Sequence, residues 1–481
     1  MTPSTTPRGT GSAPANVPWS PALWGLLLVL AGNMLIDALE VSVALVALPA
    51  IGADLDLAAS QLHWVVSGFA VGFGGLLLFG GRAVKLLGRR PVYLAALLVF
   101  SAASLVGALA DSAALLVATR FVKGFCAALT APTGLAIIAS TFPEGPARSR
   151  ALSVYSLFGA SGFSAGLLLS GALTEVSWRW TFAAPAPVAL VLFVAGLRLI
   201  PRDRPDPGIP RRYDVAGALS LTGAMLALVY TIASGPGGDW DHPRTIGAFV
   251  LAALLTALFL RVELTVEQPL LRLELFAHGA LMRSALGAGA LNGSYLGLLL
   301  VGTLHLQQRA GWSPLETGLA FLPAAAPLAL TALWSGRIVA RFGAARLIAA
   351  GALAAPLGYL LYPRGGSAAV HYTTDVLPTM LLVGAAFVLA FTAFHVQATG
   401  AVPDGRQEAA GGLYQTAVQL GAALMTALCA ALYPVGTGAV LRLITTVGLF
   451  GLAVALFGLV PRKAAQPGAP TTPDERKPHV E

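Results

Sequence analysis

The chain is short of charge and short of cysteine. Of its 481 residues only 11% are Asp, Glu, Lys or Arg, where soluble domains carry roughly 25%. So little charge, with 56% hydrophobic residues and a mean hydropathy of +0.75, excludes an ordinary water-soluble globule and describes a polytopic membrane protein. The two cysteines, Cys126 and Cys429, both sit in apolar runs. They allow no disulfide framework and have no metal-ligand spacing, so they read as small buried hydrophobes. No nucleophile–base motif, metal spacing or phosphate loop is present, which argues against an enzyme and against a cofactor. Acidic residues are outnumbered by basic ones, 22 to 30, for a net charge of +8. The basic residues are scattered between apolar spans, which fits cytoplasmic loops rather than a nucleic-acid surface.

What the chain has instead is long apolar runs. Inside hydrocarbon every backbone polar group must be bonded internally, which leaves helices or a closed barrel. Runs of about 20 residues select helices, because a barrel would show short alternating strands. The expected class is therefore an all-α polytopic membrane protein with about fourteen spans, near 23–48, 61–81, 91–110, 113–140, 151–173, 181–200, 214–234, 245–262, 281–306, 315–340, 344–362, 376–399, 409–434 and 439–460. Residues 1–20 are rich in Pro, Ser, Thr and Gly, with Arg8 the only basic residue, and are expected to be a disordered cytoplasmic N-terminus. The run that follows is too long for a signal-peptide core and reads as a retained first span. The tail 461–481 is polar, Pro-rich and likewise expected to be disordered and cytoplasmic.

Charge sets the expected orientation. With the N-terminus inside, the inner loops hold Arg82, Lys85, Arg89, Arg90, Arg148, Arg150, Arg202, Arg204, Arg211, Arg212, Arg261, Arg272, Arg283, Arg337, Arg341, Arg346 and Arg406, and the tail adds Arg462, Lys463, Arg476 and Lys477. The outer loops hold only Arg179, Arg244, Arg309, Arg364 and Arg442. The bias places both termini in the cytoplasm. An internal repeat supports the count: Gly81-Arg82-Ala83-Val84-Lys85-Leu86-Leu87-Gly88 echoes Gly336-Arg337-Ile338-Val339-Ala340-Arg341-Phe342-Gly343 at the inner ends of the second and tenth spans. A parallel six-span repeat would put the echo at the eighth, so two extra spans lie between the halves. The expected organisation is a six-helix half over 21–200, a cytoplasmic linker 201–213, two extra helices over 214–262, a linker 263–280 and a second six-helix half over 281–460. Parallel halves of this kind hold substrate between them near the midplane.

The first span carries acids where none is cheap. A charge at the bilayer centre costs roughly 2.5–3.5 kcal/mol on insertion scales, and such residues are functional candidates by default. Asn33, Asp37 and Glu40 fall at i, i+4 and i+7, on one helical stripe. Arg120 and Lys123 share a face of the fourth span. Four unpaired charges would cost on the order of 10–14 kcal/mol.

In order along the chain, local motifs resemble the major facilitator superfamily, and within it the fourteen-span drug:proton antiporters of the quaternary-ammonium and multidrug exporter type. Leu39 to Pro49 is similar to the first-span pattern L-D-x-T-I-V-N-V-A-L-P, with Glu40 at the Asp, Ser42 at the Thr and Leu45 at the Asn. The loop after the second span resembles G-x-L-A-D-R-x-G-R-R through Gly81, Gly88, Arg89 and Arg90, but Lys85 stands at the Asp and Leu86 at the basic position. Arg120 matches R-x-x-Q-G, with Lys123 at the Gln. Gly162, Gly166 and Gly171 fit the glycine-rich antiporter motif, with Leu167 at its Pro and Ser170 at a Gly. Ser177-Trp178-Arg179-Trp180, Gly235-Pro236 with Trp240, Pro269-Leu270 with Leu275-Phe276, and Gln307 or Gln308 with Gly311, Ser313-Pro314-Leu315 and Gly318 add weaker matches.

The resemblance implies the major facilitator fold and proton-coupled efflux of hydrophobic or amphipathic molecules, antibiotics among them, by a monomer in the cell membrane. It implies proton coupling at Glu40, with Asp37, Arg120 and Lys123 beside it, and a gating loop of Gly81, Arg82, Lys85, Gly88, Arg89 and Arg90 whose acid latch is altered or lost. It also places the first and fourth spans on one wall of the cavity. Their depths then pair Glu40 with Arg120 and Asp37 with Lys123. A neutral lining of Asn33, Asn292, Tyr295, Phe391, Phe394, His395, Tyr414, Gln415 and Gln419 suits large amphipathic substrates, although His395 also reads as a hydrogen-bonded interface residue. The competing class is a facilitator-fold protein that is uncoupled or no longer transports, such as a sensor, a partner subunit or a membrane-embedded enzyme. Lys85, Lys123 and Leu167 are the departures that raise it.

Overall fold

The structure, a computed structural model, describes residues 19–202, 214–234, 239–267, 269–364, 370–403 and 405–459. The expected N-terminal tail apart from Trp19 and Ser20, the whole expected C-terminal tail 461–481 and most of the 201–213 linker lie outside these. Among the described residues there is no strand. Thirteen helices among the described residues are long and apolar enough to span a bilayer, and one bent pair makes a fourteenth. They are α1 (Pro21–Asp54), α2 (Ala59–Leu87), α3 (Arg89–Ala108), α4 (Ala113–Thr141), α5 (Pro146–Thr174), α6 (Arg179–Leu199), α7 (Val215–Ser234), α8 (Pro243–Thr265), α9 (Gly279–Leu304), α10 (pieces Pro314–Ala320, Leu322–Thr331 and Ser335–Phe342), α11 (Ala344–Leu361), α12 (Leu377–Gly400), α13 (Gln407–Leu432) and α14 (Thr437–Phe457).

Local chemistry sets the helix ends. Ser20 caps α1 through its hydroxyl, with Pro21 in the first turn, where a missing N–H costs nothing. Ser313 and Glu316 form a reciprocal capping box at the start of α10. The internal repeat has matching geometry: Gly88 and Gly343 both end a helix at positive φ, +92° and +81°, a conformation only glycine adopts cheaply. α10 departs from the single run expected over 315–340, because it bends by 82° between its second and third pieces. At the break the backbone changes its bonding. Thr331 Oγ1 bonds the Pro327 carbonyl and Ser335 Oγ the Ala332 carbonyl, while tight i−3 bonds from Ala332 and Trp334 replace the α-helical ones.

The two halves repeat one packing scheme. In the first, α1 packs on α5, α2 on α4, and α3 on α4 and α6. In the second, α9 packs on α13, α10 on α12, and α11 on α12 and α14. Small residues permit these approaches, with Gly162 of α5 against the Leu35 backbone and Gly421 of α13 against Gly289 of α9. The halves meet along two seams related in the same way, α2 with α13 and α5 with α10. The extra pair α7 and α8 pack on each other, and α7 also covers α2 and α13. The face of the bundle carrying Lys85, Arg89 and Arg148 is called the basic face below, and the opposite one the far face.

Candidate functional site

Glu40, Arg120 and Lys123 are each 0% exposed. Arg120 donates through Nη1 to Glu40 Oε2, through Nη2 to the Glu40 carbonyl at 2.8 Å, and through Nε to the Val65 carbonyl on α2 at 2.8 Å. Lys123 Nζ lies 2.5 Å from the other carboxylate oxygen, Oε1. One carboxylate therefore holds two cations. The surplus positive charge rests on carbonyls and on aromatic faces, with Arg120 4.8 Å from the Phe69 centroid and Lys123 4.9 Å and 5.5 Å from those of Phe100 and Phe182.

The Glu40–Arg120 pair forms as expected, but the Asp37–Lys123 pair does not. Asp37 Oδ2 instead accepts from Asn33 Nδ2 at 2.9 Å and from Thr130 Oγ1 at 2.8 Å. Depth alone misleads here because side chains lean toward the N-terminus of their own helix. α1 and α4 run in opposite directions. Lys123 leans toward the far face and reaches Glu40, while Asp37 leans toward the basic face and reaches Thr130, seven residues and roughly 10 Å further along α4.

The neutral candidates divide into three groups. Tyr295, 2% exposed, stands at the junction of the halves, with ring centroids 5.5 Å from Phe163 of α5 and 4.3 Å from Phe387 of α12, and Phe391 stacks on Phe387 at 5.4 Å. Asn292, Phe394, Tyr414 and His395 serve the interior and edge of the second half. Asn292 donates to the Val418 carbonyl at 3.2 Å, Phe394 packs over Gly287, and Tyr414 donates to the Phe391 carbonyl at 3.3 Å, with the exposed His395 edge-on to its ring. Gln419 lies in the α2–α13 seam over Gly74, with half-buried Gln415 one turn away. Asn33 belongs to Asp37.

The seams account for the glycines and the loop. Gly162 and Gly166 press α5 onto α1, where Ser42 Oγ also donates to the Phe163 carbonyl at 2.8 Å. Gly171 belongs to the other half's contact, since a Cβ there would lie 2.9 Å from Leu315 Cα and from the Pro314 oxygen. Leu167, in the place of the motif's proline, offers its carbonyl to the close approach of Gly318. At the far face Gln307 donates to the Val46 carbonyl at 2.9 Å and Leu315 N to Glu175 at 3.1 Å. At the basic face Lys85 pairs with Glu408 of α13 at 2.8 Å, so an ion pair joins the halves where the loop's acid is missing. Arg90 donates to the Leu197 carbonyl at 2.5 Å, and Arg82 and Arg89 also have partners.

With this geometry in place, the comparisons are decisive. The sequence model described as Major Facilitator Superfamily matches residues 30–426. The chain belongs to that superfamily. The puromycin resistance protein of Streptomyces alboniger is 36% identical over 86% of this chain and 82% of its own length. The lincomycin resistance protein of Streptomyces lincolnensis is 34% identical over 83% and 82%, and the cephamycin export protein of Amycolatopsis lactamdurans 32% over 95% and 94%. Among solved structures, a peptide transporter bound to alafosfalin superposes with a TM-score of 0.65 at 15% identity over 90% of this chain and 93% of that one. The human organic anion transporter gives 0.60 at 17% over 91% and 100%. At those identities the structures speak for the fold alone.

Several residues of this facilitator went unnoticed in the sequence. Glu408 is the acid of the basic-face ion pair. Phe163 and Phe387 complete the aromatic row around Tyr295. His63, 0% exposed, approaches Ser67 at 3.4 Å, and Ser67 bonds the Ala423 carbonyl and Thr426 across the α2–α13 seam. A histidine inside an apolar run was the available signal for the last.

Proposed function

We propose that this facilitator is a proton-driven exporter of amphipathic small molecules, antibiotics among them, and that its two halves rock about the aromatic row Phe163–Tyr295–Phe387–Phe391. The observation that carries the reading is the repeated packing scheme of the halves, joined chiefly along two seams, with charged groups buried in one wall. The names of the relatives supply the substrate class, and an acid buried in the first span supplies the means of coupling. We place the basic face and both termini in the cytoplasm, with export running toward the far face, and treat the monomer as the working unit. The test is uptake of puromycin, lincomycin and ethidium into inverted vesicles under an imposed proton gradient, beside survival of a sensitive host expressing the gene. Gradient-dependent uptake and raised resistance are expected. Movement at equal rates without a gradient sinks the coupling, and no movement of any compound sinks transport of this class.

The Lys85–Glu408 pair acts in this reading as a charge-swapped latch at the basic face. It is half exposed, so its intrinsic worth is about 0–1 kcal/mol. Lys85→Glu and Glu408→Lys alone are each expected to shift the conformational balance and lower transport several-fold. The double swap should recover most of it. Equal loss in the double variant would remove the latch from the mechanism.

A further inference from the structure

We propose that Asp37, and not Glu40 at the position the antiporters use, carries the exchanged proton, in a site built with Asn33 and Thr130, and that Glu40 is the fixed counter-charge of Arg120 and Lys123. The inference rests on the proton-driven reading above and names the group that performs it.

The two acids differ in what would follow from a proton. Glu40 contacts a guanidinium through one oxygen and an ammonium through the other, both 0% exposed. Neutralising it would leave two buried cations facing each other with no anion between them. Asp37, 4% exposed, has no cation within ion-pairing distance among the described residues and is held only by neutral donors. A group that must gain and lose a proton in every cycle needs partners that serve both of its states.

Thr130 is such a partner. Its hydroxyl donates to Asp37 Oδ2 at 2.8 Å, and it also lies 3.1 Å from the Cys126 carbonyl and 3.4 Å from that of Ala127. A hydroxyl has one proton to give and two lone pairs to accept with. When Asp37 is ionised, Thr130 donates to it. When Asp37 takes up a proton, Thr130 turns its O–H to the Cys126 carbonyl and accepts the new carboxyl O–H. No heavy atom has to move, and the Asn33 amide donates in both states. The proton enters as H⁺ bonded to an Asp37 oxygen and leaves from the same oxygen, so no other bond changes.

The remaining titratable and charged groups around Asp37 come from three other helices and from its own. They are Tyr93 on α3, Tyr155 on α5, Cys126 on α4 and Glu40 on α1. The Tyr155 phenol is engaged with the Ala131 carbonyl at 3.2 Å, and the cation of Lys123 is spent on Glu40. The Tyr93 hydroxyl is fully buried and has no hydrogen-bond partner among the described residues. A buried phenol without a partner is costly unless some state of the protein uses it.

The test uses the full chain, purified and reconstituted, with puromycin, lincomycin and ethidium as probes. Three quantities are read: the dependence of uptake on an imposed proton gradient, its pH profile, and protons released per probe bound in detergent. Asp37→Asn is expected to reduce gradient stimulation at least tenfold and to abolish proton release. Asp37→Glu should restore both with a displaced pH profile, which a merely structural role would not produce. Glu40→Gln combined with Lys123→Met removes one charge of each sign and should still respond to the gradient. Undiminished gradient dependence in Asp37→Asn overturns the inference while leaving proton-driven export standing, as does loss of coupling in a folded Glu40→Gln, Lys123→Met protein. A wild-type protein indifferent to the gradient overturns the proposed function itself, and this inference with it.

Discussion

Glu40→Gln alone is expected to deplete the folded protein. Glu40 is the only carboxylate in contact with Arg120 and Lys123 among the described residues, and all three are 0% exposed. Breaking a buried pair by removing one partner costs about 3–5 kcal/mol, because a desolvated charge is left uncompensated. A typical stability is only about 5–15 kcal/mol. The three positions are not equivalent. Lys123→Met removes the surplus cation, leaves Glu40 with Arg120, and should fold at least as well as wild type. Arg120→Met strips donors from the Val65 and Glu40 carbonyls as well as from the carboxylate, and should be as damaging as Glu40→Gln. Glu40→Gln with Lys123→Met should recover only part of the loss, because Arg120 stays buried without an anion, and a double-mutant cycle measures the coupling energy directly. Yield of monodisperse protein and thermal unfolding in detergent are the readouts. Wild-type behaviour of Glu40→Gln would show that the cluster is not the structural clamp its geometry describes.

What was legible in the sequence was what hydrophobic length and glycine chemistry dictate locally. The spans, the extra pair and the repeat could be read because a run of about 20 apolar residues has one stable form in a bilayer, and because Gly88 and Gly343 need the same positive φ. Glu40 with Arg120 was readable from depth. Depth alone gives Lys123 to Asp37 and fails, because it ignores the lean of side chains on helices that run in opposite directions. Glu408 escaped because it lies 323 positions from Lys85, and nothing local marks a distant partner. Phe163 escaped because its neighbours Gly162 and Gly166 carry the motif, while the ring between them touches the other half. In α10 the prolines are visible, but the break falls at Thr331 and Ser335, where hydroxyls take backbone carbonyls. The same hydroxyl bonds stand in unbroken helices at Thr231 and Thr426, so residue type alone does not mark the break.

Gly171→Leu is expected to abolish transport while leaving the protein folded. The atoms nearest a Cβ at this position are Leu315 Cα and the Pro314 carbonyl oxygen, both 2.9 Å away and both backbone, so neither can swing aside as a side-chain tip would. The clash falls between the halves and not within either. The contacts of α5 with α1 through Gly162 and Gly166 are untouched, and so are the packing partners inside the second half. The far-face seam must then stay apart, and a transporter that cannot close one side cannot complete the exchange of access. Gly166→Leu is the control of opposite character, because its Cβ would strike Ser42 and the Leu39 backbone inside the first half. It should lower the yield of folded protein outright. A cysteine pair made by Glu175→Cys and Leu315→Cys reports the seam, since the Glu175 carboxylate lies 3.1 Å from the Leu315 amide when it is closed. Cross-linking should be efficient in the otherwise unaltered protein and lost when Gly171→Leu is added, with uptake reduced at least tenfold at unchanged yield. Normal uptake by Gly171→Leu would mean that this seam need not close for transport, and that the last glycine of the motif serves only the packing of its own helix.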